Sequence, residues 1–233
     1  MTDPRELTAE PSVFLQAEAL EREAARIDRR RAGPFPLPRP LEGDTVWMGC
    51  IDRDGLVVSY IQSVYFAYGS GCVLPGTGIL WHNRGTAFTL DPASLNPLEP
   101  GRKPFHTLNP GLAVFQDGRV LSYGTMGGES QPQILGQIFT RYARFGMGLA
   151  DAVDAPRWLL GKSAMSSAPT LRMESRFDTS LFRDLGRLGH AVQETGRPYA
   201  DAFGHAGMLV RHARNGRIEA THDPRADAGV LGL

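Results

Sequence analysis

In this 233-residue chain, the type and position of two adjacent glycines suggest a role in binding a negative charge. Gly127 and Gly128 stand in the run SYGTMGGESQPQ, after a stretch typical of a strand and directly before a predicted helix. Two backbone N–H groups presented at such a place form a site for an anion or an oxyanion. Taken alone, the same pair is also typical of a plain tight turn, which is the commoner structure.

A second unusual feature is Gly43-Asp44-Thr45, at the junction of a proline-rich stretch and a predicted strand. By itself, this junction is typical of any strand entry. Common catalytic signatures are absent from the sequence: it has no phosphate-binding loop and no G-x-G-x-x-G, and Gly69-Ser70-Gly71 lacks the outer spacing of a nucleophile elbow. The six histidines are scattered, and His205, His212 and His222 favour surface or core roles over a metal site.

Cysteine chemistry is also disfavoured. Cys72 could pair with His82 or His106 as nucleophile and base, but a lone cysteine among apolar neighbours is expected to be buried and inert. Two cysteines are too few for a disulfide framework or a cysteine-only metal site. The sequence therefore predicts neither a metal nor a cofactor.

The elements that must position these residues are hairpins followed by helices. Asp-Gly or Asn-Gly turns predict three hairpins, and apolar periodicity predicts three helices. The hairpins are expected over 45–65, 112–124 and 207–225, and the helices over 131–145, 148–154 and 178–188. On the first helix, Ile134, Ile138 and either Phe139 or Tyr142 share one face. The order predicts a layered α+β fold with antiparallel sheets.

The first 44 residues differ from the rest. Residues 8–31 are rich in Ala, Leu, Glu and Arg, which predicts a helix that starts near Thr8 and Pro11 and ends at the Arg29–Arg31 cluster. Residues 33–44 carry four prolines, which predicts an exposed extended linker. We place the clearest boundary of the chain there.

Composition excludes several classes of protein. Lys+Arg 25 balance Asp+Glu 25, so no net field attracts nucleic acid or an anionic membrane. No apolar run approaches the ~20 residues of a membrane helix, and the acidic, proline-containing N-terminus is unlike a signal peptide. We therefore expect a cytoplasmic protein.

Taken in order, eight short motifs resemble the small subunit of the gamma-glutamyltransferase (gamma-glutamyltranspeptidase) family, closest to its acylase-like branch. They are GDTVW, IDRDG, VSYIQSVY, LPGTGILWHNRG, GRKPFHTLNP, GTMGG, DAPRW and HDPR. The resemblance runs from Gly43 to the C-terminus. It implies an N-terminal-nucleophile hydrolase with a four-layer αββα sandwich, of which only the small-subunit part is present. Residues 1–44 then correspond to the tail of the large-subunit region, and 45–233 to the small-subunit catalytic region.

The resemblance also implies a self-processing enzyme. A precursor of this family cleaves itself before a threonine, which matches Asp44–Thr45 here. Thr45 then supplies both the nucleophilic hydroxyl and, through its freed α-amine, the base; such an amine titrates near ~7.7–8.0. Gly127 and Gly128 match the oxyanion-hole glycines, which replaces the tight-turn interpretation, and Ser63 matches a hydroxyl that assists the nucleophile.

The substrate pocket departs from the classical pattern. Thr107 matches one member of a serine pair that binds the substrate carboxylate, and His106 replaces the other. The asparagine, glutamine and aspartate that hold the α-amino group are replaced by Tyr65, Arg84 and Ala87. Losing an acid and gaining a cation repels an ammonium and attracts a carboxylate. The resemblance thus predicts hydrolysis of gamma-glutamyl or glutaryl-like amides, such as glutathione, with a preference against free α-amino groups.

The family's large subunit is represented only by its tail, so we expect a large-subunit chain as partner. Without it, apolar sheet faces are left exposed. The alternative is a catalytically inactive orphan subunit or fragment that binds a partner chain. Intact Thr45, Ser63, Gly127 and Gly128 argue against decay of the site.

Overall fold

The computed structural model describes residues 3, 5, 7–33, 45–163 and 166–232, with the backbone alone at 162, 163 and 166–168. Nine strands and four α-helices lie within these ranges. The strands are β1 Thr45–Ile51, β2 Val57–Ser63, β3 Gly111–Val114, β4 Val120–Thr125, β5 Trp158–Ser163, β6 Ser166–Glu174, β7 Val192–Thr195, β8 Ala206–Arg211 and β9 Ile218–His222. The helices are α1 Ala17–Ala25, α2 Gln131–Ala143, α3 Leu149–Asp154 and α4 Thr179–Arg187.

All three predicted hairpins are confirmed. β1 pairs with β2, and the antiparallel register sets Thr45 opposite Ser63. Gly55 adopts a positive φ of 89° in the first turn, which favours glycine there. The other two hairpins join in one four-stranded sheet of order β3-β4-β8-β9, in which Thr125 at the end of β4 pairs with Ala206 at the start of β8.

The β1–β2 hairpin packs face to face against this four-stranded sheet, with Trp47 between them. A Cβ at Gly124 or at Gly207 would overlap the Trp47 ring, so both glycines let the two backbones approach. The Trp47 indole Nε1 donates to Ser59 Oγ at 2.9 Å, and Ser122 Oγ donates to the Val58 carbonyl across the sheets at 2.9 Å. The interface therefore combines close aromatic packing with satisfied polar groups.

Helices cover the other face of the four-stranded sheet, as the apolar periodicity of α2 predicts. Ile134 and Ile138 are fully buried against Leu121 and Met208. Tyr142 is buried too, while Phe139 packs at the edge of the same cluster. The helix begins at Gln131 as predicted and ends at Ala143, two residues before the predicted end at 145. Two facing sheets and one helical layer result.

A third sheet, of order β5-β6-β7, was not predicted. The expectation that all sheets are antiparallel is wrong for one pair, because β6 and β7 run parallel. The crossover between them is α4, which fills the connection that parallel strands need. Cys72 also departs from expectation: both cysteines are exposed.

The N-terminal helix is shorter than predicted. A 3-10 turn covers Pro11–Leu15, Gln16 is extended, and α1 ends at Ala25. The extended Gln16 interrupts the helical run, so Thr8 is not the helix start, and Arg29–Arg31 lie beyond the helix. The predicted linker at 33–44, with Asp44, lies outside the described residues apart from Gly33. No described helix is long and apolar enough to cross a membrane.

Four buried charged side chains join β6, β9, and the segments that precede β5 and β8. Arg225 donates to both oxygens of Glu174 at 2.6 and 2.7 Å and to Asp223 at 2.9 Å. Asp223 also pairs with Arg157 at 2.6 Å and accepts from the Ala206 backbone N–H at 2.6 Å. Two cations face two anions, so the buried cluster carries no net charge. It holds the start of β8 in place beside the end of β4.

Candidate active site

Thr45 begins β1, and its hydroxyl donates to Ser63 Oγ at 2.9 Å. The antiparallel register brings the two residues together, because Ser63 is the last residue of the paired strand. Ser63 Oγ also accepts from the Tyr65 backbone N–H at 2.9 Å. The predicted nucleophile and its assisting hydroxyl are therefore in direct contact, and the chain is turned at Tyr65 by a bond to the same oxygen.

Tyr65 is 6% exposed and has a positive φ of 79°. A bulky residue in the left-handed region is strained, and such strain is commonly kept at functional sites. Asn83 fixes the loop that follows: its amide accepts from Phe66 N at 3.0 Å and donates to the carbonyls of Phe66 and Gly69. Asn83 was not predicted as a site residue, although it stands in the HNRG motif.

Arg84 lies next to Asn83 and is 4% exposed. Its guanidinium stacks 3.8 Å from the centre of the Tyr65 ring and donates to Thr107 Oγ1 at 3.0 Å. No carboxylate of the described residues forms an ion pair with it, unlike Arg157 and Arg225. Burial lowers the Arg84 pKa, and Tyr65 partly opposes that effect. A buried cation without a counter-ion is a site for an anion.

Thr107 is buried and His106 lies beside it. His106 Nδ1 accepts from the Leu108 backbone N–H at 3.3 Å. Burial lowers the His106 pKa first, and the charges of Arg84 and His82 lower it further. The imidazole is therefore neutral at pH 7, with its remaining proton on Nε2.

Gly127 and Gly128 follow β4 and precede α2, at φ of 121° and 52°. Among the described residues, none accepts a hydrogen bond from the backbone N–H of either glycine. Gly128 lines a cavity of about 290 Å³ together with His106 and Thr107, while the preceding Met126 lines a larger cavity of about 560 Å³ with Thr45. The glycine pair thus directly follows a residue that lines the cavity of Thr45, and its second member lines the cavity of His106.

Contacts connect most of the predicted site in one series: Thr45 to Ser63, Ser63 to Tyr65, Tyr65 to Arg84, and Arg84 to Thr107. Ala87 is half-buried on the 3-10 turn Arg84–Ala87 and supplies no charge.

Two further residues lie at or next to the cavity of about 290 Å³ and were not predicted from the sequence. Glu129 lines the cavity of His106 and Thr107. Its charge raises the pKa of Tyr65, where burial is the larger cause and Arg84 acts in the opposite direction. Gln131 is fully buried and accepts from the Asn109 backbone N–H at 3.0 Å. Their position directly after the two glycines was the available signal.

The arrangement has the parts that acyl transfer requires. It offers a hydroxyl at the start of a strand, a pair of backbone N–H groups without described acceptors, and a buried cation that contacts Tyr65 and Thr107. The cation and the neutral imidazole suit a substrate that carries a carboxylate. Among the described residues, no group of three potential metal ligands occurs.

The fold and the site together define an α+β protein of the N-terminal nucleophile hydrolase type, as comparison with solved structures shows. The cephalosporin acylase from Bacillus halodurans aligns over 100% of this chain and 42% of its own, with TM-score 0.79 and 29% identity. A gamma-glutamyltranspeptidase chain from Pseudomonas nitroreducens, at 20% identity and TM-score 0.65, shares the fold over 80% of this chain and 98% of its own.

The chain belongs to the gamma-glutamyltranspeptidase family, which it matches over residues 1–233. It is 47% identical over 232 residues to the oxamate amidohydrolase proenzyme of Klebsiella pneumoniae, covering 100% of this chain and 43% of the relative. It is 38% identical over 217 residues to a glutathione hydrolase-like proenzyme of Bacillus subtilis, covering 92% and 41%. The chain therefore spans less than half the length of these curated relatives.

Proposed function

We propose that this chain is the catalytic part of a self-processing amidohydrolase in which Thr45 is the nucleophile. The 2.9 Å contact between Thr45 Oγ1 and Ser63 Oγ is the observation that carries the proposal. Cleavage of the Asp44–Thr45 peptide bond converts the Thr45 nitrogen from an amide into an amine. Membership of the family, and relatives that are named proenzymes, support this step.

In the mature site, the Thr45 hydroxyl attacks the carbonyl carbon of the substrate amide while the α-amine of Thr45 takes the hydroxyl proton. Negative charge develops on the carbonyl oxygen, and the Gly127 and Gly128 N–H groups stabilise it. The C–N bond then breaks, and the leaving nitrogen takes the proton from the α-ammonium. Water hydrolyses the resulting ester, which restores the Thr45 hydroxyl. Hydrolysis rather than transfer to an amino-acid acceptor is the proposed outcome.

Arg84 determines the substrate class in this proposal. Its buried guanidinium, held against Tyr65 and Thr107, is placed to bind a carboxylate on the acyl part of the substrate. The classical ligands for an α-ammonium are replaced at Tyr65, Arg84 and Ala87. We therefore propose amides whose acyl group ends in a carboxylate and carries no α-amino group. Oxamate, the substrate in the name of the 47% identical relative, and glutaryl amides have this chemistry.

The proposed partner is a large-subunit region, with residues 1–44 as its tail. The outer face of the β1–β2 hairpin supports this, because Val46, Met48, Val58 and Tyr60 are exposed there side by side. Such a contiguous apolar face is typical of a surface that another element covers. The alternative, an inactive subunit that only binds a partner chain, rests on the same face.

Intact mass spectrometry tests the processing step. The chain is co-expressed with a large-subunit region, and the wild type is compared with Thr45→Ala. We expect a break between Asp44 and Thr45 in the wild type that is lost in the variant. An uncut wild-type chain would favour the inactive-subunit alternative.

A substrate panel tests the specificity. Oxamate, a glutaryl amide and the matching gamma-glutamyl amide are assayed side by side with wild type, Arg84→Lys and Arg84→Met. Because a charge-assisted hydrogen bond contributes about 1.5–3 kcal/mol, Arg84→Met should raise KM for the carboxylate substrates by about 10-fold to 100-fold. Faster turnover of the gamma-glutamyl amide than of both other substrates would contradict the proposed preference.

A further inference from the structure

The self-cleavage proposed above raises a chemical problem that the mature mechanism does not share. Before cleavage, the nitrogen of Thr45 belongs to a peptide bond and has no basicity, so it cannot take the hydroxyl proton. Ser63 Oγ accepts the hydrogen bond that the Thr45 hydroxyl donates. A neutral hydroxyl is not a base near pH 7, however, so Ser63 cannot take the proton. The uncut chain therefore needs a different proton acceptor near Thr45.

Four titratable side chains line the cavity of about 560 Å³ beside Thr45: His205, His222, Asp223 and Asp227. Asp223 is already paired with Arg157 and Arg225, and Asp227 is exposed. The two histidines line the cavity together with Thr45 and Met126. His222 is exposed and its Nδ1 lies 3.2 Å from the Asp223 carbonyl oxygen. His205 differs, because its Nε2 is buried and has no hydrogen-bond partner among the described residues.

Strand alignment places residue 205 opposite Thr45. Across the two facing sheets, Gly49 of β1 meets Leu209 of β8, and Trp47 meets Gly207. Side chains alternate along both strands, so alternate residues share a face. His205 immediately precedes β8, and its carbonyl continues the pairing with β4 by accepting from the Met126 N–H. One further step of two residues towards the N-terminus of each segment therefore brings Thr45 to the level of His205.

The backbone at His205 is fixed on both sides. The carbonyl of Gly204 accepts from Arg157 Nη1 at 3.0 Å, and the Ala206 N–H donates to Asp223 at 2.6 Å. The His205 carbonyl itself accepts from the Met126 N–H at 3.4 Å. The imidazole is thus carried by a rigid corner that also contacts the residue preceding the oxyanion glycines.

From these observations we infer that His205 is the base of the self-cleavage reaction, an inference that rests on the proposed function. Its Nε2 takes the Thr45 hydroxyl proton as Oγ1 bonds to the Asp44 carbonyl carbon. The C–N bond then breaks, and the Thr45 nitrogen receives that proton from the imidazolium and becomes the free amine. Water hydrolyses the ester between Asp44 and Thr45, giving the Asp44 carboxylate and restoring the hydroxyl.

His106 is the other imidazole in the candidate site, but it does not suit this role. It lines the cavity on the far side of Gly128 rather than the cavity of Thr45. Burial and the neighbouring charges of Arg84 and His82 also lower its pKa. A weakened base in a different cavity leaves His205 as the group placed for the step.

The test follows cleavage in pulse-labelled chain co-expressed with a large-subunit region, by denaturing mass spectrometry over time. His205→Gln keeps a polar side chain of similar size without a base, and His222→Gln is the matched control in the same cavity. Because general-base catalysis contributes about 100-fold or more, we expect His205→Gln to be cut at least about 100-fold more slowly. His222→Gln should be cut near the wild-type rate.

Chemical rescue separates proton transfer from a structural role. His205→Gly leaves room for added imidazole, which should accelerate cleavage in proportion to its concentration. Failure of imidazole to accelerate cleavage of a folded His205→Gly chain, or cleavage of His205→Gln at the wild-type rate, would overturn the inference while the proposed function stands. An uncut wild-type chain would overturn the proposed function itself, and with it this inference.

Discussion

Arg157 and Asp223 form an ion pair of 2.6 Å in which both side chains are withdrawn from solvent. Burial lowers the Arg157 pKa to about 10, although the neighbouring Asp223 acts in the opposite direction. The pair matters for the site because Arg157 also donates to the carbonyls of Phe203 and Gly204 at 3.0 Å. Those residues lead directly into β8, so this ion pair, as part of the cluster with Arg225 and Glu174, fixes the corner beside the end of β4.

Asp223→Asn should therefore destabilise the fold strongly. The substitution keeps the volume but leaves Arg157 and Arg225 with less compensation, and breaking a buried ion pair typically costs about 3–5 kcal/mol. The free energy of unfolding is measured by urea denaturation at pH 7. Asp227→Asn is the control, since Asp227 is exposed four residues further on. Equal stability of the two variants would contradict the structural role given to Asp223.

Ser63 gives a second prediction, on catalysis rather than stability. Ser63→Ala removes the oxygen that contacts both Thr45 Oγ1 and the Tyr65 N–H. A neutral hydrogen bond contributes about 1 kcal/mol, so we expect cleavage and amide turnover to fall by about 5-fold to 10-fold.

Ser63→Thr is the matched control for that experiment. It retains the hydroxyl, so both rates should stay near those of the wild type. Rates for Ser63→Ala that equal those of Ser63→Thr would show that the contact with Thr45 is not used.

The sequence predicted the elements that depend on neighbouring residues, and it did not predict those that depend on contacts between distant segments. Asp-Gly and Asn-Gly turns are local signals, and all three hairpins are confirmed. β5, β6 and β7 were missed because no tight turn of that kind marks them and β7 pairs with β6 in parallel across α4. The start of α1 was misplaced because composition alone does not reveal that Gln16 is extended.

The candidate site shows the same division. The motif order placed Thr45, Ser63, Arg84 and Thr107 in one site, and the structure joins these four, through Tyr65, in a continuous series of contacts. The position of His205 could not be predicted, because it depends on two sheets being stacked around Trp47.

Gly124 provides a test of that stacking. A Cβ on Gly124 would overlap the Trp47 ring, so Gly124→Ala must push β1 away from β4. Overpacking of this kind typically costs about 1–3 kcal/mol, and it should also displace Thr45 at the start of β1. We expect a lower unfolding midpoint together with slower self-cleavage. Gly136→Ala, which meets no atom within 4 Å on α2, should leave the cleavage rate unchanged and should not lower the unfolding midpoint, because alanine favours a helix interior over glycine by about 0.5–1 kcal/mol.

The binding of a carboxylate beside His106 should depend on pH. Burial and the charges of Arg84 and His82 lower its pKa, so the imidazole is neutral in the folded chain at pH 7. A bound carboxylate favours the protonated imidazole beside Arg84, so binding should strengthen as the pH falls below about 6.5, the ordinary histidine value. Calorimetric titration of glutarate between pH 5 and 8, about 1.5 units either side of that value, measures this effect without relying on turnover.

The stability of the free chain should respond to pH in the opposite direction from the binding of glutarate. Above about 6.5, His106 is neutral in both folded and unfolded chains and contributes no pH dependence. Below that value the unfolded chain takes up the proton first, because the folded pKa is lowered, so the free energy of unfolding falls. His106→Gln should remove both effects, whereas His190→Gln, in the segment before β7, should remove neither. Glutarate binding that keeps its pH dependence in His106→Gln would assign the titration to another group.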